Sequence, residues 1–127
     1  MQIRHVIIKV DEQDKALSFY TSIVGFVKRL DLPIGRVRWL TVYSREGATG
    51  VQLVLEPNNF APALTSQKAL YDASFPAAVL TPTDIGNKFQ SASLSYSKRR
   101  AASNELRSVP RFVYHPSKAT VSLVLRF

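Results

Sequence analysis

The chain has 127 residues with 46% hydrophobic and 20% charged side chains, an ordinary globular balance for a single domain and not that of a disordered or fibrous polymer. It contains no cysteine, which excludes disulfides, thiolate metal sites and cysteine nucleophiles. The net charge is +8, but it is unevenly placed: residues 1–90 hold ten Lys/Arg against eight Asp/Glu, and residues 91–127 hold seven against Glu105 alone. The body is therefore nearly neutral, and the basicity belongs to the last third.

In chain order, residues 3–10 (Ile-Arg-His-Val-Ile-Ile-Lys-Val) are rich in β-branched residues and predict a strand, with Ile3, His5, Ile7 and Lys9 on one side. Asp11-Glu12-Gln13-Asp14 opens an amphipathic helix through Ala16, Leu17, Phe19, Tyr20, Ile23 and Val24, stopped by Gly25. A second strand is expected over Phe26–Leu32, a turn at Pro33-Ile34-Gly35, and a third strand over Arg36–Tyr43 around Trp39. Arg45–Gly50 reads as a hairpin loop and Val51–Glu56 as a fourth strand. One such unit cannot cover both faces of its sheet, so it calls for a partner module.

The second half repeats this order more weakly. A short helix is expected over residues 64–73, a strand over Ala77–Thr81, and a helix opened by Thr83 or Asp84 with Ile85 and Phe89 on one face. Closing strands are expected over Phe112–Tyr114 and Thr120–Leu125, with His115 in the turn between them. Residues 87–127 contain neither glycine nor aspartate, although turns must lie there. No apolar run approaches ~18 residues, so no membrane span is expected. The opening residues enter a strand directly instead of a signal-peptide pattern, which makes the cytoplasm the expected compartment.

The segments Ile3-Arg4-His5-Val6, Asp14–Tyr20, Val24-Gly25-Phe26, Arg38–Val42 and Gly50–Pro57, in this order and spacing, resemble the vicinal oxygen chelate superfamily of glyoxalases, bleomycin-resistance proteins and extradiol dioxygenases. The resemblance covers about two-thirds of the chain. It implies an α+β fold of paired βαβββ modules, about residues 1–60 and 74–127, whose curved mixed sheet surrounds a cleft and whose homodimer completes it. It also implies a divalent metal (Zn, Ni, Mn or Fe) held by His5 and Gln52, with Ser122 at the position of the last ligand. A serine hydroxyl is a poor ligand for such a cation. The sparse turns of the last third fit either divergence or a shifted reading frame.

Each candidate also has a structural explanation. His5 is a metal ligand or a hydrogen-bonded strand histidine, and Gln52 a ligand or part of a solvated strand face. Glu56 shares the face of Gln52, as ligand, base or rim carboxylate. Trp39, Tyr43 and Phe60 line a substrate pocket or pack the core. Arg36 and Arg38 hold an anion or decorate a solvated face. Lys98-Arg99-Arg100 beside Tyr96 is the only stretch that looks suited to nucleic acid, and a solvated turn accounts for it better. The leading expectation is a metal-dependent enzyme acting on a small oxygen-chelating substrate. The alternative is a non-catalytic, antibiotic-like small-molecule binding protein of the same fold.

Overall fold

The computed structural model describes residues 1–81, 111–115 and 120–124. Its element order is β1 (His5–Val10), α1 (Gln13–Ser18) with a π-helical turn (Phe19–Ile23), β2 (Val27–Ile34), β3 (Val37–Tyr43), β4 (Gln52–Pro57), α2 (Ala61–Asp72), β5 (Ala78–Leu80), β6 (Arg111–His115) and β7 (Thr120–Val124). The chain divides into two units, Met1–Ala63 and Leu64–Phe127. The first carries a mixed four-stranded sheet in the order β1-β4-β3-β2, with β1 and β4 parallel and the other pairs antiparallel. The second carries a three-stranded antiparallel sheet in the order β5-β7-β6. The fold is thus α+β. The expected helix after Thr83 and the Lys98-Arg99-Arg100 cluster with Tyr96 lie outside the described residues. Among those described, no helix is long and apolar enough to cross a membrane.

In the first unit the alternation of the strands sorts side chains onto two faces. One face carries Ile8 and Val10 from β1, Leu40 and Val42 from β3 and Leu55 from β4, all buried. Helix α1 and the π turn contribute Ala16, Phe19 and Tyr20 to the core. Gln13 ties helix α1 to the sheet where β3 and β4 separate. Strands β3 and β4 are paired at Thr41–Val54 and Val42–Leu53, and beyond that point Gln13 Nε2 donates to the carbonyls of Arg38 (2.9 Å) and Leu55 (2.7 Å). Two carbonyls are thereby satisfied where the strands part.

Four expectations are corrected. The first helix is α-helical only to Ser18 and then widens into a π turn, where the Val24 amide donates to the Phe19 carbonyl. The Thr21 hydroxyl donates to the Leu17 carbonyl (2.8 Å), occupying an acceptor of the helix ladder. Strand β2 runs through Pro33 to Ile34, and the turn is Gly35-Arg36, with Gly35 at φ +61° and Ile34 facing Val37. Proline is tolerated because β2 is the edge strand, and glycine at the first turn position supplies the positive φ that a two-residue hairpin needs.

Helix α2 starts earlier than expected, at Ala61, because Pro62 in its first turn is a favourable opener rather than a breaker. It ends with the Phe75 amide donating to the Leu70 carbonyl and the Ser74 amide to that of Tyr71, Ser74 taking the left-handed position. His115, expected in a turn, is the last residue of β6 and faces Thr120.

Arg38, considered above as an anion holder, is committed to structure. Its guanidinium donates to both Asp31 oxygens (2.9 and 2.8 Å) and to Asp14 (2.6 Å), joining β3, β2 and α1. The hydrogen bond from Arg38 holds the Asp31 carboxyl below the usual carboxylate range. A depressed folded value means stability that is present at neutral pH and lost as pH falls through that value. Asp31→Asn is therefore expected to flatten the acid limb of a plot of urea midpoint against pH between about pH 7 and 2. An unchanged acid limb would show that the pair carries no pH-dependent stability.

Candidate functional site

The other face of the first sheet is built from His5, Ile7 and Lys9 on β1, Gln52, Val54 and Glu56 on β4, Trp39, Thr41 and Tyr43 on β3, and Leu30, Leu32 and Ile34 on β2. No element of the first unit packs against it. Ile7 is 55% exposed, Leu32 50% and Ile34 55%, an apolar margin that a solvated sheet does not normally present. At its centre Thr41 and Val54 are buried. The His5 and Trp39 rings, from strands either side of β4, meet edge to face at 5.7 Å. They therefore span β4 and form an aromatic ledge on this face. Lys9 and Glu56 are register partners and pair at 2.6 Å, so Glu56 is a rim carboxylate balanced by a cation.

His5 and Gln52, placed together by the resemblance, are register partners on β1 and β4. Gln52 is half-buried and its orientation is set by Thr41. The Leu30 amide donates to Thr41 Oγ1 (3.2 Å), and the hydroxyl then donates to Gln52 Oε1 (2.8 Å). One of the two acceptor sites of the amide oxygen is thus taken, and Gln52 Nε2 is left to offer N–H donors.

That arrangement is a poor fit to a divalent first-row cation, which needs a basic oxygen or a third ligand beside the imidazole. Among the described residues no group of three His, Cys, Asp or Glu side chains converges anywhere. Ser122 lies in β7 opposite Val79 and Val113, and its side chain is outside the described residues.

At one end of this face is a concave pocket of about 360 Å³, near the lower limit for a small-molecule site. Tyr43 and Gln52 line it together with Arg29, Ser44, Arg45 and the loop residues from Gly47 to Val51. The sequence points to Tyr43 and Gln52 but not to Arg29 or Arg45. Arg29 reaches the pocket from a β-bulge, the register of β2 on β3 slipping by one residue between Lys28 and Leu30. The signal for it was faint, an extra residue in an otherwise alternating strand. Trp39 and Tyr43 lie on the same strand face, four residues apart, so ledge and pocket belong to one surface.

These features define a small α+β protein with an exposed aromatic and apolar sheet face ending in a pocket. The chain is 38% identical over 89 residues to the uncharacterized protein YurT of Bacillus subtilis (strain 168), a match covering 70% of this chain and 70% of that protein, and it belongs to the same family. The crystal structure of UcmS2 is similar with a TM-score of 0.57 and 26% identity, covering 91% of this chain and 84% of that one. TnmS3, an antibiotic binding protein from Streptomyces sp. CB03234, aligns with a TM-score of 0.43 and 23% identity over 66% of this chain and 78% of its own. No profile of a known protein family matches the chain.

Proposed function

We propose that the protein is a non-catalytic binder of small organic molecules, built on paired modules of the glyoxalase/bleomycin-resistance type. The homodimer that the resemblance implies belongs to the same proposal. What carries the reading is the continuity of the His5–Trp39 ledge with the pocket of about 360 Å³ lined by Tyr43 and Gln52. The Trp39 and His5 rings, set edge to face, with an exposed aliphatic margin and a few amide and hydroxyl groups, suit recognition of an aromatic, largely apolar body. The orientation of Gln52, oxygen held and nitrogen presented, favours binding over metal-assisted chemistry at this position.

Trp39 is the only tryptophan, so its emission reports on the ledge alone. The test is a titration with the uncharged aromatic probe N-phenyl-1-naphthylamine. Saturable quenching of Trp39 at one probe per chain is expected. Linear, non-saturating quenching would overturn the reading.

A further inference from the structure

We infer that the pocket at the end of the β3–β4 hairpin is an oxyanion subsite, so that the molecule bound here is an aromatic or other planar body bearing a carboxylate, sulfonate or phosphate group. The inference deepens the binding reading above and rests on it.

The lining is one-sided in charge. Arg29 and Arg45 both contribute to the wall, and no acidic side chain does. A third guanidinium stands against the same wall: a Cβ on Gly50 would lie 2.7 Å from Arg4 Nη1, so Arg4 packs directly on the Gly50 backbone. The Arg4 carbonyl also accepts from the Gln52 amide (2.9 Å), which pins the start of β1 to this end of β4.

Elsewhere in the unit every cation but Arg36, in the β2–β3 turn, is spent on a neighbour. Lys9 pairs with Glu56, Lys15 with Glu12, Lys28 with Asp31, and Arg38 with Asp14 and Asp31. Among the described residues no ion pair is found for Arg4, Arg29 or Arg45. Arg29 and Arg45, two like charges in one wall, repel one another, and an anion between them relieves that repulsion.

The neutral groups of the wall are of the matching kind. Gln52 Oε1 is held by Thr41, which leaves its N–H donors for a ligand, and Tyr43 brings a phenolic hydroxyl. Guanidinium groups offer paired N–H donors whose spacing matches carboxylate, sulfonate and phosphate oxygens. Gly50, at φ +83°, lets the loop backbone adopt its left-handed bend beside Arg4. The near-neutral charge of residues 1–90 conceals this pair, because Arg29 lies on β2 and Arg45 follows β3, and they reach one pocket only in the fold.

The test compares two probes that share one aromatic body, 1-anilinonaphthalene-8-sulfonate and uncharged N-phenyl-1-naphthylamine, on the full chain at low ionic strength. Wild type is expected to prefer the sulfonate by roughly tenfold or more, as charge-assisted hydrogen bonds do. In Arg29→Ala/Arg45→Ala the preference should fall to about twofold or less, and added sodium chloride should erode it in wild type. Equal wild-type affinities, or a preference that survives in the double variant, would overturn the subsite.

A second readout separates this failure from failure of the binding reading. Sodium sulfate alone, followed by amide chemical shifts, should move residues 44–52 in wild type and not in the double variant. Movement of those amides with no binding of either aromatic probe would leave the oxyanion site standing and sink the organic-ligand reading. Sulfate shifts scattered over the surface would sink the subsite itself. Circular dichroism of the double variant, matched to wild type, excludes misfolding as the cause.

Discussion

Tyr20→Ala is expected to lower the unfolding free energy by about 3–5 kcal/mol, the range for removing a large aromatic from a packed core. Tyr20 is completely buried in the π turn. Its ring lies 5.3 Å from that of Phe19, edge to face, and 5.8 Å from that of Phe26, so truncation removes the middle of a three-ring cluster and leaves a cavity. Its carbonyl accepts from the Phe26 amide (2.8 Å), at the point where the chain leaves the π turn for β2. Burial pushes the phenol far above its ordinary titration range, so it stays neutral throughout the physiological span. Domains of this size have roughly 5–15 kcal/mol in hand, so the variant should be marginal at room temperature. Urea unfolding measures the loss, and a change below about 1 kcal/mol would show that this side chain does not hold the core.

The largest functional effect is expected at Trp39. Trp39→Ala should weaken N-phenyl-1-naphthylamine binding by roughly thirtyfold or more, the scale of an aromatic anchor in a binding site. The substitution removes the broad face of the ledge and leaves His5 without its edge-to-face partner. Because the variant has no tryptophan, the probe's own emission must be followed. Trp39→Phe keeps a smaller ring and should recover part of the affinity. Trp39 is half-buried, so folding is checked independently by circular dichroism. Wild-type affinity in the alanine variant would place the ligand elsewhere and dissociate the pocket from the ledge.

Strand alternation made much of this site legible. The period of two in residues 3–10 set His5, Ile7 and Lys9 on one face, and the same period paired Gln52 with Glu56. The structure puts these residues on a single surface, and the Lys9–Glu56 pair follows from their shared register. Gly25, at φ +83°, ends the first helical segment as its position announced. The limits of the elements were less legible. Pro33 looked like a turn, because a sequence does not say which strand is at an edge, where a missing amide costs little. The π turn depends on a hydroxyl competing for a backbone acceptor, which apolar spacing does not register.

By itself, the amino-acid order determined which side chains share a strand face, that one βαβββ unit leaves a sheet face needing cover, and that chemistry by cysteine is excluded. These follow from local geometry, since the period of a strand is set by the backbone and not by what packs on it. Tertiary structure alone decided the roles of the arginines. Arg38 is spent on Asp14 and Asp31, brought to it by α1 and β2, whereas Arg29 and Arg45 line a pocket with Arg4 against its wall. Their sequence contexts do not distinguish them. Charge interactions act through space, so whether an arginine is paired or poised for a ligand depends on which distant segments the fold brings within a few ångströms.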